Sequence, residues 1–397
     1  MQIWIYLFVI SIAFVFYNYA GYAVIAWVLT RITGSRSSRK NTSGPAFEPG
    51  VSFIVAAYNE QDVIEKKILN SLGQDYDPDK IEFIFVTDGS SDDTPAIIKK
   101  YPAIRLLHEP SRNGKSAAVN RAVKAATNEI LIFSDANTLL NREATARIAA
   151  HYADPRIGGV AGEKKVLAAG SGSGNGDNVG AGEGLYWKYE SLLKRIDANF
   201  YSVVGAAGEL FSLRTSLYEP LSPDIILDDF ILSLHVAEKG YPVAYEPGAY
   251  AMEEPSFSFR DEQKRKVRIA AGGFQSIVLL SSLLAFWRRP RLSFLYISHR
   301  VLRWALSPFC LVLALVSSGI ACLYGGYLPW TLFSLQILFY GLALIAALLP
   351  GKQPALLRLP YYFTFMNVSV ILGFFRFLRG KQSAVWEKAR RIQSTTT

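Results

Sequence analysis

The feature that most constrains the fold is a run of four apolar residues, 130–133, that ends in polar residues. A strand that is apolar on both faces is typical of a parallel sheet covered by helices. Ser134 and Asp135 follow directly, and Asn137 lies two positions further on. Because ligands of open α/β sheets bind beyond the carboxyl ends of the strands, Asp135 and Asn137 are candidate ligands of a divalent cation. Taken alone, the same two residues are equally suited to capping the next helix.

The surrounding sequence alternates between strand and helix patterns. Strands are predicted at residues 51–58, 81–87 and 104–108, and helices are predicted at residues 59–72, 113–127, 185–196 and 228–239. The β-α-β-α-β order predicts right-handed crossovers and a parallel sheet with helices on both faces. Asp88 ends the second strand and is expected at the same sheet edge as Asp135. Residues 168–184, which are dense in Gly, Ser and Asn, predict a mobile loop.

Both ends of the chain predict membrane helices. Residues 3–29 carry no charge, and a helix of that length spans about 40 Å. A signal peptide is the alternative, but it would have a basic start and a small-residue cleavage site. Residues 304–351 leave room for two further crossings, and 359–375 for another. The apolar segment 274–287 follows a basic stretch, which predicts a helix lying in the membrane interface.

Charge predicts the partners and the orientation. The net charge is +9, and the basic residues cluster beside the apolar ends, which favours a lipid bilayer rather than nucleic acid. The cluster of Arg31, Arg36, Arg39 and Lys40 predicts an integral protein of the cell (inner) membrane with a cytoplasmic catalytic domain. Three crossings after that domain would put the basic tail outside, which leaves the side of the tail open. The two cysteines form neither a disulfide framework nor a metal-binding spacing.

These patterns divide the chain into six parts. They are a transmembrane helix at 1–30, a linker at 31–50, a catalytic domain at 51–258, basic and interfacial helices at 259–298, transmembrane helices at 299–380 and a basic tail at 381–397.

Two local motifs each allow two interpretations. Gly114, Lys115 and Ser116 look like the end of a phosphate-binding P-loop, but Glu109 occupies the position of its first glycine. Lys115 at a helix start can still meet a diphosphate, although the local sequence alone favours a solvated lysine. Acids at a helix start, such as Asp228 and Asp229, stabilise the helix with no further role, or one of them can be a general base.

In combination, four motifs resemble the membrane-bound family-2 glycosyltransferases, which include cellulose, chitin, hyaluronan and poly-N-acetylglucosamine synthases. The motifs occupy residues 55–60, 88–94, 113–115 and 134–137, and the likeness covers residues 51–273. It implies a GT-A-type, Rossmann-like α/β domain flanked by transmembrane and interfacial helices. It also implies inverting transfer of a hexose or N-acetylhexosamine from a nucleotide sugar, expected to be a UDP-sugar, to a glycan or lipid-linked acceptor in polysaccharide synthesis.

The resemblance also implies a role for individual residues. It assigns base and ribose contacts to Ala56, Tyr58, Glu60 and Asp88. It places Lys115 and Arg268 near the donor diphosphate and includes Arg265 and Asp135 among the donor-binding residues. It assigns a Mg²⁺ or Mn²⁺ ion to Asp135 and Asn137. Asp229 matches the family's catalytic base, with Asp228 beside it.

Three departures leave alternatives open. Asn137 replaces an acid, Asp228 shortens a Glu, and Arg265 and Ile269 replace the Gln and Trp of the processive members' Gln-x-x-Arg-Trp motif. Without an aromatic face for the acceptor, transfer of a single sugar to a polyprenyl-linked or lipid acceptor becomes an alternative. A non-catalytic nucleotide-binding scaffold is a third, although a scaffold needs no paired acids. The membrane helices are too few for one chain to form its own channel, so secretion of a glycan would require a homo-oligomer.

Overall fold

The computed structural model describes residues 1–34, 47–166, 176–254, 259–349 and 354–380. Its eight strands form one sheet in the order β3-β2-β1-β4-β7-β6-β8-β5. The strands are β1 Val51–Ala57, β2 Ile81–Asp88, β3 Ile104–Glu109, β4 Ile130–Asp135, β5 Leu139–Leu140, β6 Gly159–Val166, β7 Phe211–Arg214 and β8 Val243–Glu253.

Only half of the sheet has the predicted parallel arrangement. Strands β3, β2, β1 and β4 are parallel neighbours, as the sequence predicts. Beyond β4, the strands β7, β6 and β5 each make an antiparallel pair, and only β6 and β8 pair in parallel. The predicted parallel arrangement is therefore confirmed for the strands up to β4, and it does not extend to this half of the sheet. Strands β6 and β8 carry charged residues such as Glu163 and Glu246, so they lack the apolar runs that identify buried strands.

Fourteen α-helices surround the sheet and extend beyond it within the described residues. They are α1 Gln2–Phe16, α2 Tyr22–Thr33, α3 Ile64–Leu72, α4 Thr94–Ile98, α5 Lys115–Ala125, α6 Ala144–Ala149, α7 Gly176–Phe200, α8 Asp228–Glu238, α9 Phe259–Leu279, α10 Pro290–Tyr296, α11 Leu302–Ala305, α12 Ser307–Cys322, α13 Tyr327–Leu348 and α14 Ala355–Leu378.

The two faces of the sheet bury separate apolar layers. Phe53 and Val55 of β1 belong to a layer that also contains Ile64 of α3 and Ile148 of α6. Ile54 of β1 belongs to the other layer, which includes residues of α5 and α8. This alternation follows from the two-residue period of a strand. The sheet is thus covered by helices on both faces, which fixes the strand ends in place.

Three predicted segments differ from the structure. Residues 176–184 are not a loop, because α7 begins at Gly176, while residues 168–175 lie outside the described residues. The helix predicted from residue 59 begins only at Ile64, since Asn59 has a positive φ of 52° and starts a turn.

The third difference concerns the interfacial helix predicted after two glycines. Helix α9 runs through Gly272 and Gly273 and ends at Leu279. Both glycines permit close packing: a Cβ at Gly273 would lie 2.7 Å from the Trp304 ring, and one at Gly272 would lie 2.8 Å from Leu227. The paired glycines therefore mark a helix contact and not a helix start.

Three helical segments of the described chain are long and apolar enough to cross a membrane: Gln2–Thr33, Tyr327–Leu348 and Leu356–Leu378. A fourth is possible if Pro290–Ala305 and Ser307–Cys322, which meet at a 50° bend, form one span. The last segment packs closely on α9, because a Cβ at Gly373 would lie 2.5 Å from the Ala270 Cβ. The apolar helices are thus joined directly to the domain that contains the sheet.

A buried ionic network also links the domain to these helices. Glu190 of α7 is 2% exposed and pairs with Arg303, and its Oε2 lies 3.1 Å from Arg300 Nη1. Nearby, Asp197 of α7 accepts hydrogen bonds from His299 and from the hydroxyl of Tyr22 in α2. Because both arginines are buried, the network depends on the Glu190 carboxylate for its charge balance.

We expect Glu190→Ala to lower the free energy of unfolding by about 3–5 kcal/mol, because it leaves two buried guanidinium groups without their counter-charge. Denaturant titration in mixed micelles measures the change. Lys188→Ala is the matched control, because Lys188 is exposed on the same helix. An effect of Glu190→Ala no larger than that of the control would contradict the assigned role.

Candidate active site

The site forms where three strands end at the same edge of the sheet. Ala56 near the end of β1 pairs with Val86 of β2 on one side and with Asp135, the last residue of β4, on the other. Because parallel strands all point the same way, their carboxyl ends and the loops that follow lie together. Asp135 therefore lies at the edge that the sequence predicts.

Two helix starts bring charged residues to Asp135. Lys115 is the first residue of α5, and its Nζ lies 2.9 Å from Asp135 Oδ1 and 3.9 Å from Asp228 Oδ1. Asp228 and Asp229 are the first two residues of α8. Both helix N-termini carry a partial positive charge, which favours an anionic ligand. The residue before Lys115 is Gly114, whose φ of 93° suits glycine.

Gly208 marks the point where the charged groups meet. A Cβ at this glycine would lie 3.1 Å from Lys115 Nζ, 3.4 Å from Asp229 Oδ2 and 3.7 Å from Asp135 Oδ1. The surrounding pocket is lined by apolar and charged residues of strands β1, β4 and β7 and of helices α5 and α8. Its lining residues are Ile54, Ala56, Lys115, Val119, Phe133, Ser134, Asp135, Gly208, Phe211, Asp228, Asp229 and Leu232.

Burial and the crowding of charges shift the pKa values of these groups. Burial and the neighbouring Asp228 carboxylate together raise the pKa of Asp229 to about 7. Burial also raises the pKa of Asp135, although the Lys115 ammonium opposes this shift. Burial alone would lower the pKa of Lys115, but three surrounding carboxylates hold it above its usual value. A lysine that stays charged thus lies between acids, one of which has a pKa suited to general-base work near neutral pH.

Comparison with known families identifies the protein. The family model for glycosyl transferase family 2 matches residues 52–180, and that for glycosyl transferase family group 2 matches residues 130–357, more than half of the chain. The chain belongs to this family. It is a glycosyltransferase.

Individual relatives agree with this assignment. The glycosyltransferase is similar to the poly-beta-1,6-N-acetyl-D-glucosamine synthase of Staphylococcus aureus (strain MSSA476), with 26% identity over 240 residues, or 58% of this chain and 56% of the relative. The synthase of Staphylococcus epidermidis is 27% identical over 259 residues, or 62% and 60% of the two chains. The chain therefore spans somewhat more than half the length of these curated relatives.

A solved structure shows the same fold. The mannosyltransferase PcManGT from Pyrobaculum calidifontis, in complex with GDP-Man and Mn²⁺, superposes with a TM-score of 0.73 over 94% of this chain and 99% of that one, at 23% identity. The glycosyltransferase thus has a GT-A-type α/β fold with flanking apolar helices, as the resemblance of its motifs implies.

The residues expected to bind base and ribose lie along the β1 and β2 ends. Ala56 lines the pocket, and the ring of Tyr58 lies 3.9 Å from the Arg112 guanidinium. The backbone N–H of Glu60 donates to Thr94 Oγ1 at 2.8 Å. The loop after β1 is therefore tied to the segment after β2 by this hydrogen bond. The roles of these residues in donor binding remain predictions.

Asp88 is buried and accepts hydrogen bonds from the loop before α5, which its predicted contact with the base or ribose does not imply. It is 2% exposed, and its Oδ2 accepts from the backbone N–H groups of Asn113 and Gly114 at 2.9 and 2.7 Å. Its Oδ1 lies 3.3 Å from the Arg121 guanidinium. Asp88 thus fixes the loop that leads into Lys115, so any contact with a nucleotide base would be additional to that function.

The two arginines at the positions of the processive members' Gln-x-x-Arg-Trp motif lie on α9, outside the pocket lining. Arg265 Nε is 3.0 Å from Glu262 Oε2, and its Nη1 is 3.8 Å from Glu253 Oε2. Arg268 is half-buried on the same helix, and Asn137 is half-buried in the turn after β4. In the described part of the chain, none of the three lines the pocket around Gly208. Their assigned roles stay predictions.

Sequence reasoning missed several residues close to the site. Glu209 follows Gly208, and its Oε1 lies 2.7 Å from Nζ of Lys164, whose side chain is 1% exposed. Lys67 of α3 is fully buried behind the turn that carries Asp135. Lysines in a charged segment normally indicate a solvated surface, so the sequence contains no signal for the burial of Lys67 or Lys164.

The donor set at this edge suits a hard divalent cation shared with phosphates. No cluster of three or more His, Cys, Asp or Glu side chains that would hold a metal occurs in the described parts of the chain. However, Mg²⁺ is commonly held by one or two carboxylates together with substrate phosphates and water. Asp135, with a side chain that is 28% exposed, can supply one such carboxylate. Asn137 is two positions away in the same turn.

Proposed function

We propose that the protein is an inverting glycosyltransferase that moves a hexose or N-acetylhexosamine from a nucleotide sugar to a glycan or lipid-linked acceptor at the membrane. The observation that carries this proposal is the meeting of Lys115, Asp135 and Asp229 around Gly208, at the carboxyl edge of the sheet. The Lys115 ammonium, the candidate metal ligand Asp135 and the candidate base Asp229 are thus within reach of a single bound donor.

The chemistry follows from the charges of these groups. As the bond from the anomeric carbon to the diphosphate oxygen breaks, negative charge grows on the leaving diphosphate. The Lys115 ammonium and the N-terminus of α5 would stabilise that charge. A Mg²⁺ or Mn²⁺ ion held by Asp135 would supply further electrostatic stabilisation.

Asp229 would accept the proton of the attacking acceptor hydroxyl. The acceptor oxygen forms its bond to the anomeric carbon on the face opposite the leaving group, so the configuration inverts. The proton passes to the Asp229 carboxylate, and the bonding electron pair leaves with the nucleoside diphosphate. The neighbouring Asp228 favours protonation of Asp229 as the reaction proceeds, because two adjacent buried carboxylates repel each other.

The donor sugar and the length of the product are identified by two measurements. The names of the staphylococcal relatives support a glycan product and thus polysaccharide synthesis. Ile269 in place of an aromatic residue favours the addition of one sugar to a polyprenyl-linked or lipid acceptor. Purified protein should release nucleotide from one member of a panel of UDP- and GDP-sugars in the presence of Mn²⁺. Sizing of the product then separates a polymer from a single addition, and the absence of nucleotide release from every donor in the panel would contradict the proposal.

The catalytic domain is proposed to lie in the cytoplasm, next to the supply of nucleotide sugars. Basic residues on the domain side of the first apolar helix support this orientation. Asp79 lies in an exposed turn at the start of β2. In a chain with Cys310→Ser and Cys322→Ser, a cysteine introduced as Asp79→Cys should react with an impermeant maleimide in inverted vesicles and be protected in intact cells of a bacterial host. The opposite pattern would refute this orientation.

A further inference from the structure

Lys67 is a fully buried lysine that no step of the proposed reaction uses. It lies in the second turn of α3 and is 0% exposed. Buried lysines are rare, and they persist only when their donors are satisfied. The Lys67 Nζ donates to Ser134 Oγ at 2.6 Å and to the backbone carbonyl of Thr138 at 2.9 Å. Its amine therefore spans the turn that follows β4.

That turn carries the candidate metal ligands. Asp135 and Asn137 lie between the two residues that Lys67 contacts, and Thr138 Oγ1 donates to the Asp135 carbonyl at 3.0 Å. Lys67 thus contacts the first and the last residue of the five-residue turn 134–138, and Asp135 of the same turn lines the pocket. A neutral amine and an ammonium both have enough N–H groups for the two bonds, so this arrangement does not depend on the protonation of Lys67.

The same lysine is connected to the opposite wall of the pocket. The Ser134 hydroxyl, which accepts from Lys67, donates in turn to the backbone carbonyl of Glu209 at 3.0 Å. Glu209 directly follows Gly208, where Lys115, Asp229 and Asp135 meet. One buried amine therefore sets the position of the Asp135 turn relative to the loop that faces it.

We propose that Lys67 is a positioning residue for divalent-cation binding at Asp135. The inference rests on the proposed function, because it takes Asp135 as the metal ligand. Residues that orient a metal ligand from behind typically change metal affinity by about 10–100-fold when they are replaced. The rival explanation is simple packing of the lysine stem near the Phe53 ring, 5.7 Å from its Nζ. Methionine, which is similar in length and has no donors, separates the two explanations.

The test measures metal binding without turnover. Electron paramagnetic resonance of free Mn²⁺ is recorded during titration of the purified full chain with UDP and, separately, with GDP. We expect Lys67→Met to weaken Mn²⁺ binding by about tenfold or more. Lys66→Met is the matched control, because Lys66 is the preceding residue and is exposed; its Mn²⁺ affinity should equal that of the wild type. Ser134→Ala removes one of the two bonds and should weaken binding in the same direction by a smaller factor.

Each result has a defined meaning. Wild-type Mn²⁺ affinity in folded Lys67→Met would overturn the positioning role and leave the proposed function intact. If Lys67→Met does not fold, Ser134→Ala decides, and unchanged binding in that variant would also overturn the role. Absence of Mn²⁺ binding to the wild type with either nucleotide would contradict the metal site of the proposed function, and the inference about Lys67 with it.

Discussion

Replacement of Asp229 by asparagine should slow sugar transfer by about 10²–10⁴-fold while folding and nucleotide binding stay normal. Asparagine has nearly the same shape but cannot accept the proton of the acceptor hydroxyl. Asp229 lies at the start of α8, and its Oδ2 faces the same point as Lys115 and Asp135. Loss of a charge at a helix start changes stability by only about 0.3–1 kcal/mol, so a large loss of activity would be chemical in origin.

Asp228→Asn is the matched control for this prediction. Asp228 is buried beside Asp229, and its Oδ1 lies 3.9 Å from Lys115 Nζ. We expect a milder effect, because the variant weakens the charge balance of the pocket and leaves the base in place. Rates of transfer and affinities for the nucleotide should be measured on both proteins. If Asp228→Asn were inactive and Asp229→Asn active, the assignment would be wrong and Asp228 would be the base.

The second large effect is expected for Asp135→Ala, which should abolish transfer with the fold intact. Asp135 is the only residue with a full negative charge in the turn after β4, since Asn137 is neutral. Its removal leaves Lys115 paired with Asp228, so the helix starts should keep their places. Turnover and Mn²⁺ binding in the presence of nucleotide measure the loss.

Asn137→Asp provides the opposite change at the same turn. It restores a second carboxylate and should tighten Mn²⁺ binding if the cation lies at this edge, because charge count governs the affinity of oxygen sites for hard cations. Near-normal turnover of Asp135→Ala would show that the cation is held elsewhere or is not required.

The parallel half of the fold could be predicted because its strands are short apolar runs. The strand at residues 130–133 and those before it end in polar residues, and helix patterns separate them. The antiparallel half could not be predicted in this way. Lys164 and Glu253 lie on its strands and are buried as an ion pair, so the usual contrast between buried apolar and exposed charged residues is absent there.

The site was partly accessible to sequence reasoning. Residues at strand ends and helix starts, such as Asp135, Lys115 and Asp229, could be expected near one another, because the fold class fixes where those ends lie. Contacts between residues far apart in the chain could not be predicted. The hydrogen bond of Asp88 to the loop before α5, for example, depends on the close approach of two loops. Lys67 is a further example, as its neighbours are 67 and 71 positions away in the chain.

The configuration of the product tests the central claim most directly. Wild-type protein is incubated with an α-linked nucleotide sugar that it accepts, and the anomeric proton of the newly formed bond is observed by nuclear magnetic resonance. Single displacement with Asp229 as base predicts a β-linked product, and Asp229→Asn should form almost none in the same time. An α-linked product would contradict the account, because retention requires a different arrangement of groups around the anomeric carbon.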